Sequence, residues 1–108
     1  MADSYEINIY QKDDGSRPYI DWLTAMRDEK ARLAVTRRIS RMNAGNFGDH
    51  KSLKQGLWEL RIDVGAGYRV YYCIEGTQII LLLCGGDKDT QTEDIARARL
   101  YKADYEQR

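Results

Sequence analysis

The chain has 108 residues, of which 43% are hydrophobic and 31% charged, and its formal net charge at pH 7 is zero. These values predict one soluble domain spanning residues 1–108, with a modest core. No apolar run approaches the roughly 20 residues that a membrane-spanning helix needs, and the N-terminus lacks a signal-peptide pattern. We therefore expect a cytoplasmic protein with no membrane partner. Cys73 and Cys84 fall in predicted strands without metal-ligand spacing, which favours buried thiols in a reducing compartment.

The zero net charge hides an uneven distribution along the chain. Residues 27–69 contain 10 Lys and Arg against 5 Asp and Glu, a local balance of +5. The flanking segments are acidic, at −3 for residues 1–26 and −2 for residues 70–108. A basic middle segment between acidic flanks indicates a surface that binds polyanions, although solvated helix surface is the alternative explanation.

In the first half of the chain, strict alternation over residues 5–10 predicts a strand. Ser16 is expected to cap a first helix that has Pro18 in its first turn, and Asp28 to cap a second helix beginning near Glu29. Apolar residues recur at helical spacing in the second helix, at Ala31, Ala34, Val35, Ile39 and Met42. Its arginines fall mainly off that stripe and predict a basic outer surface, formed by Arg32, Arg37, Arg38 and Arg41.

In the second half, turn residues at 43–49 end the helix, and a loop carrying His50 follows. Residues 57–72 form a predicted β-hairpin, and the apolar run 78–84 predicts a strand buried on both faces, ended sharply by Gly85 and Gly86. Thr90 or Thr92 can cap a last helix that ends near Tyr105. The fold class is therefore α+β, with an antiparallel-rich sheet of about four strands. Two helices are expected to pack on one face, and a C-terminal helix follows the last strand.

The hairpin contains an unusual pair of charges. Two strand-like runs flank Gly65 and Gly67, so Ile62 is expected to pair with Tyr68. In that register Arg61 lies directly opposite Arg69 on one face of the sheet. Like charges in that position are destabilising unless an anion lies between them. The pair therefore predicts an anion site.

Other charged residues are predicted near this pair, from four separate segments: Lys51, Lys54, Glu59 and Lys88. Such a cluster can hold RNA phosphates and stabilise the charge that builds up when a ribose 2′-OH attacks the adjacent phosphate. Glu59, His50 and a lysine with a lowered pKa are all candidates for the general base. The sequence shows no metal-ligand spacing and no dinucleotide or nucleophile motif, so neither a metal nor a cofactor is expected.

Three segments, residues 45–62, 67–72 and 81–92, together resemble the RelE/HigB-like toxins of type II toxin–antitoxin modules, in particular the addiction-module killer proteins. The resemblance implies a small RelE-like fold and a metal-independent endoribonuclease that inhibits translation by cutting mRNA at the ribosome. It also implies a cognate antitoxin, often a helix-turn-helix protein. Arg61 and Arg69 match the family's phosphate-contacting arginines. Lys51 and Lys54 match its basic positions before that strand, and Lys88 lies where catalytic side chains follow the last strand.

Two other functions fit the same sequence. The first is a ParE-type inhibitor of DNA gyrase, which shares the fold but binds a protein. The second is a non-catalytic, phage-derived binding module that retains only its surface for the antitoxin. For either kind of toxin, the antitoxin is expected on exposed apolar surface, along the C-terminal helix or across the basic face.

Overall fold

The computed structural model describes residues 4–108, so residues 1–3 of the predicted domain lie outside the described part of the chain. The architecture is mixed α+β, as predicted. One five-stranded sheet has the order β1-β5-β4-β3-β2, with the strands β1 (Glu6–Ile9), β2 (His50–Ser52), β3 (Trp58–Ile62), β4 (Tyr68–Glu75) and β5 (Ile79–Asp87). The helices are α1 (Pro18–Ala25), α2 (Glu29–Met42) and α3 (Gln91–Glu106), and a 3₁₀ turn, Lys88–Thr90, joins β5 to α3. Within residues 4–108, no helix is long and apolar enough to cross a membrane.

The sheet has five strands where about four were predicted. The additional strand, β2, occupies the segment expected to be a loop, and it pairs antiparallel with β3 so that Lys51 lies opposite Glu59. Its three residues, His-Lys-Ser, have no apolar alternation from which a strand could be predicted. At the other edge, β1 pairs parallel with β5, while all other neighbouring strands are antiparallel.

Helices α1 and α2 pack on one face of the sheet, as predicted. The stripe of α2 buries Ala31, Val35, Ile39 and Met42. Apolar side chains of β3, β4 and β5 meet this stripe and Tyr19 of α1 in one core cluster, among them Leu60, Ile62, Val70, Tyr72, Ile80 and Leu82. Burying each large side chain contributes roughly 2 kcal/mol, so this cluster holds the two helices firmly against the sheet.

The predicted helix caps are confirmed for α2 and wrong for α1. The Asp28 carboxylate accepts a hydrogen bond from the backbone N–H of Ala31, at 3.1 Å. Ser16 instead donates its hydroxyl to Asp14, at 2.6 Å. It lies two residues before Pro18, the first helical residue, and that proline has no N–H of its own to satisfy.

Helix α3 covers part of the opposite face, which was expected to be partly open. Its apolar side, including Ile95, Ala98, Tyr101 and Tyr105, packs on a second cluster that contains Tyr71, Cys73, Leu81 and Leu83. The helix lies over β4 and β5. The part of this face left accessible is therefore the side toward β3 and β2.

Strand β5 continues to Asp87 and does not end at Gly85 and Gly86 as predicted. A Cβ on Gly85 would overlap the ring of Trp22 from α1, and a Cβ on Gly86 would overlap the carboxylate of Asp94 from α3. The two glycines therefore allow a helix to approach closely on each side of the same strand. They are packing positions within the strand, and the chain turns only after them.

Candidate functional site

Arg61 and Arg69 lie side by side on the face of the sheet that carries α3. The predicted register is confirmed, with Arg61 opposite Arg69 and Ile62 opposite Tyr68. Arg69 in turn lies opposite Gly86. Arg61, Arg69 and Gly86 therefore form one row across β3, β4 and β5. Helix α3 begins shortly after β5, at the Gly86 end of this row.

Arg61 forms an ion pair with Asp49, a residue that the sequence did not single out. Its Nη2 and Nε atoms lie 3.0 and 3.3 Å from Asp49 Oδ1. The backbone N–H of Arg61 also donates to the Asp49 carbonyl, at 2.9 Å. The Arg61 side chain is 38% exposed and that of Asp49 is 56% exposed. Ion pairs this exposed contribute only about 0–1 kcal/mol, so an incoming anion can replace Asp49 at low cost.

Arg69 faces a buried carboxylate. Its Nε lies 3.7 Å from Glu59 Oε1, and the side chains of Arg69 and Glu59 are 18% and 1% exposed. That separation is an ion pair but exceeds a hydrogen bond, and Nε has no hydrogen-bond partner among the described residues. The other oxygen of Glu59 accepts a hydrogen bond from Gln91 of α3, at 2.7 Å. Glu59, which the sequence offered as a candidate general base, is therefore enclosed beneath Arg69 and holds that guanidinium on the sheet.

Tyr71 lies in the row next to the arginine pair, opposite Glu59. Its side chain is fully buried, and its hydroxyl has no hydrogen-bond partner among the described residues. Burial, together with the carboxylates of Glu59 and Asp94, raises the pKa of Tyr71. The ring therefore remains a neutral phenol that packs beneath α3.

The three predicted lysines are exposed, and they lie on three different segments around the arginine pair. Lys51 lies directly across the β2–β3 pairing from Glu59. Lys54 lies in the turn before β3 with a left-handed φ of +74°, which is uncommon for a residue other than glycine. Lys88 begins the 3₁₀ turn, and its N–H donates to the carbonyl of Gly67 in the hairpin turn. The backbones of Lys54 and Lys88 thus lie beyond opposite ends of β3, a strand about 13 Å long.

His50, the third candidate for a general base, lies on the other face of the sheet. It pairs with Leu60, whose side chain belongs to the core under α1 and α2. Its Nδ1 lies 2.8 Å from the Gly48 carbonyl, and its ring packs near Phe47 and Trp58. The sheet therefore separates His50 from the arginine pair.

Arg38 has a structural role that differs from the predicted outer basic surface. Its guanidinium donates to three backbone carbonyls, those of Arg61 (2.7 Å), Phe47 (3.1 Å) and Asp49 (3.2 Å). Burial lowers its pKa. This clamp fixes the segment before β2 against β3, and it thereby holds Asp49 beside Arg61. The helical spacing of Arg38 gave no signal of these contacts, because their partners are carbonyls of a distant loop and strand.

Asp94 is a second buried charge that the sequence did not single out. It is 3% exposed, accepts a hydrogen bond from the Thr90 hydroxyl at 2.5 Å, and pairs with Arg97. Thr90 occupies the N-cap position of α3, but the predicted side-chain cap is wrong, because its hydroxyl bonds Asp94 and no N–H of the helix. Instead Asp87 caps the 3₁₀ turn, accepting from the N–H groups of Asp89 and Thr90. This network fixes the start of α3, and with it Gln91, over the site.

The resulting surface suits an anion that presents several oxygen atoms. It combines two planar guanidiniums with a nearby ammonium group, and Arg forks grip phosphate oxygens in pairs. Among residues 4–108, no group of three or more His, Cys, Asp or Glu side chains is arranged to hold a metal ion. The fold and site thus define an α+β protein with a cationic surface on its sheet, formed by Arg61, Arg69 and Lys51.

The chain belongs to the phage-derived Gp49-like protein family (DUF891), whose model matches residues 21–107, a family of the RelE/addiction-module toxin type. An uncharacterized protein of Haemophilus influenzae (strain ATCC 51907 / DSM 11121 / KW20 / Rd) is 48% identical over 79 residues. The aligned region covers 73% of this chain and 80% of that protein. Membership of this toxin type implies an antitoxin partner. The matched range includes Arg61, Arg69 and the three predicted lysines.

Proposed function

We propose that this protein is the RelE/HigB-like toxin of a type II toxin–antitoxin module and that it inhibits translation in the cytoplasm by cutting messenger RNA at the ribosome. In this proposal its partner is a cognate antitoxin, a small helix-turn-helix protein that neutralises it. Family membership supports the toxin assignment. The arginine pair supports RNA as the target.

The observation that carries the proposal is that two guanidiniums lie side by side and neither is fully neutralised by an accessible carboxylate. Arg69 is held on the sheet by the buried Glu59 charge, and its side chain remains 18% exposed. Within residues 4–108, the guanidinium of Arg61, directly opposite, is engaged only by the exposed Asp49 carboxylate. A phosphate can replace Asp49 on Arg61 and also bond Arg69, because charge-assisted bonds to phosphate are among the strong hydrogen bonds of proteins.

The proposed chemistry is an internal phosphoryl transfer. The ribose 2′-oxygen forms a bond to phosphorus as the bond from phosphorus to the 5′-oxygen breaks, which leaves a 2′,3′-cyclic phosphate and a 5′-hydroxyl. Arg61 and Arg69 stabilise the charge that develops on the phosphate oxygens, while Lys51 and Lys54 hold neighbouring phosphates.

Proton transfer accompanies this reaction. The 2′-hydroxyl loses a proton to a base, and the 5′-oxygen gains one. Because Glu59 is enclosed and His50 lies across the sheet, the exposed lysines are the groups we propose for this transfer, with Lys88 placed beside the hairpin turn.

The test is inducible expression with primer extension on cellular messages. The wild type is expected to stop growth and to create new 5′ ends, and co-expression of the cognate antitoxin is expected to restore growth. Replacing Arg61 or Arg69 with Ala removes stabilisation of the transition state and should lower cleavage about a hundredfold. Arg17→Ala is the matched control, because it removes the same charge from an exposed position at the start of α1.

Three results would contradict the proposal. The first is a folded variant lacking both arginines that remains fully toxic. The second is a growth arrest with intact messages and DNA-damage signalling, as a gyrase inhibitor would cause. The third is well-expressed, folded wild-type protein with no effect on growth, as expected for a binding module without catalysis.

A further inference from the structure

The side chain of Gln91, the first residue of α3, extends to a buried carboxylate of the sheet. Its Nε2 donates a hydrogen bond to Glu59 Oε2, at 2.7 Å. The other oxygen of the same carboxylate, Oε1, lies 3.7 Å from Arg69 Nε. Glu59 therefore has one oxygen bonded to α3 and the other oxygen facing Arg69.

The hydrogen bond from Gln91 determines which way the Glu59 carboxylate faces. The last torsion of a glutamate side chain is broad and roughly two-fold, so it restricts the direction of the two oxygens only weakly. Glu59 is 1% exposed, and a buried carboxylate oxygen is costly to leave without a donor. The carboxylate therefore keeps the orientation in which Oε2 meets Gln91, and this orientation directs Oε1 toward Arg69.

The position of Oε1 in turn restricts the guanidinium of Arg69. Its Nε is buried, and Glu59 is its salt-bridge partner within residues 4–108. Because the guanidinium is planar and rigid, the position of Nε also fixes the directions of the two Nη groups beyond it. The way in which Arg69 presents these two groups to a ligand thus depends on the Glu59 carboxylate.

We propose that Gln91 is a positioning residue, which aims the Arg69 guanidinium by holding the Glu59 carboxylate. A neutral donor suits this role. A lysine at position 91 would pair with Glu59 itself and weaken its attraction for Arg69, whereas an amide donates a hydrogen bond and leaves the negative charge in place. The inference rests on the proposed function only for what the aimed guanidinium binds, which is an RNA phosphate.

The packing of α3 on the sheet keeps Gln91 within reach of Glu59. Gly86 of β5 lies directly opposite Arg69, and a Cβ on Gly86 would overlap the carboxylate of Asp94 in the first turn of α3. The absence of a side chain at Gly86 therefore lets the first turn of α3 lie over the strand next to Arg69. Gln91, at the start of that turn, can then cross to Glu59.

The test detects the surroundings of Arg69 by two-dimensional ¹⁵N NMR of the arginine Nε–H groups. Arg69→Lys identifies the resonance, because it removes this Nε–H and keeps the positive charge. Gln91→Met replaces the amide with an apolar group of similar length and so removes the donor. We expect Gln91→Met to move the Arg69 Nε–H resonance. We also expect it to weaken binding of a 2′-O-methyl hexanucleotide, which cannot undergo attack by the 2′-oxygen, about fivefold.

Gln91→Asn is a second variant, which keeps a polar side chain at the start of α3. Its amide is one methylene group too short to reach Glu59, so it should move the Arg69 resonance as Gln91→Met does. Gln107→Met is the matched control, because it makes the same replacement at an exposed position that ends α3. It should leave the resonance and the affinity for the hexanucleotide unchanged.

A double-mutant cycle shows whether Gln91 acts through Glu59. Glu59→Gln removes the charge that aims Arg69, so adding Gln91→Met to it should weaken binding further by less than about twofold. The inference is overturned if Gln91→Met and Gln91→Asn both leave the Arg69 resonance in place, as a purely structural role would. It is also overturned if Gln91→Met weakens binding by the same factor with and without Glu59→Gln, as a direct contact between Gln91 and RNA would.

The resonance requires neither RNA nor activity, so this inference and the proposed function can fail separately. If Gln91→Met moves the Arg69 resonance but the wild type cuts no message, the positioning role stands and the nuclease proposal fails. If Arg69→Ala abolishes cleavage while Gln91→Met leaves the resonance in place, the nuclease proposal stands and the positioning role fails.

Discussion

Replacing Glu59 with Gln removes the buried negative charge that faces Arg69 while keeping the size of the side chain and an oxygen for Gln91. At 3.7 Å, an effective dielectric constant of about 20 gives the ion pair a gross attraction of roughly 4 kcal/mol. Part of that attraction offsets the desolvation of both charges. Because Arg69 is 18% exposed, its guanidinium can also turn toward water in the variant. We therefore expect the free energy of unfolding to fall by about 2 kcal/mol.

The assay is urea unfolding followed by circular dichroism, with Asp49→Asn as the matched control. That change also neutralises a carboxylate paired with an arginine, but its pair is exposed, so we expect a loss of less than about 0.5 kcal/mol. For Glu59→Gln, the urea midpoint should fall by roughly 1 to 2 M.

The two variants should also differ in RNA binding. Asp49→Asn frees Arg61 and should bind RNA more tightly than the wild type, whereas Glu59→Gln lets Arg69 move and should bind more weakly. Equal stability losses in the two variants would refute the assignment of Glu59 as the support of Arg69.

Two further experiments, one substitution and one chemical modification, test the packing around β5. Gly86→Ala puts a methyl group against the Asp94 carboxylate, so we expect a loss of about 3 kcal/mol and a melting temperature more than 10 °C lower by calorimetry; an unchanged value would contradict this contact. Burial raises the pKa of the Cys84 thiol from 9.0 to about 12, so iodoacetamide at pH 8 should modify it about a thousandfold more slowly in the folded protein than in urea. Since the folded-state pKa is the higher one, the neutral thiol stabilises the fold fully below pH 9, and this contribution is lost as the pH rises from 9 toward 12. Equal modification rates in the folded and unfolded protein, measured by mass spectrometry, would show that the thiol is accessible.

The hairpin was predictable because the residues that determine its strand pairing lie close together in the sequence. Residues of a strand alternate between faces, and the glycines at 65 and 67 both have positive φ, so the pairing of Arg61 with Arg69 follows from a short stretch of sequence. The stripe of α2 was predictable for the same reason, since helical spacing alone places Val35 and Ile39 on the core side.

The partners of the arginines were not predictable, because the contacts join distant segments. Asp49 reaches Arg61 because its carbonyl is held by the Arg61 N–H and by Arg38, which lies on a helix. Gln91 reaches Glu59 only because the start of α3 folds back over the sheet. Strand β2 was missed because an edge strand of three polar residues has no periodicity of its own, and its pairing is set by β3.

The parallel pairing of β1 with β5 also determines the order in which the sheet can be completed during synthesis. Glu6 pairs with Ile79, so these partners are 73 positions apart, and β1 has no strand to pair with until β5 has left the ribosome. The hairpin needs only residues 58–75, all of which are made earlier. The nascent chain can therefore bring the two arginines together while its first strand is still unpaired, and closing that last edge brings the entropic cost of a long loop.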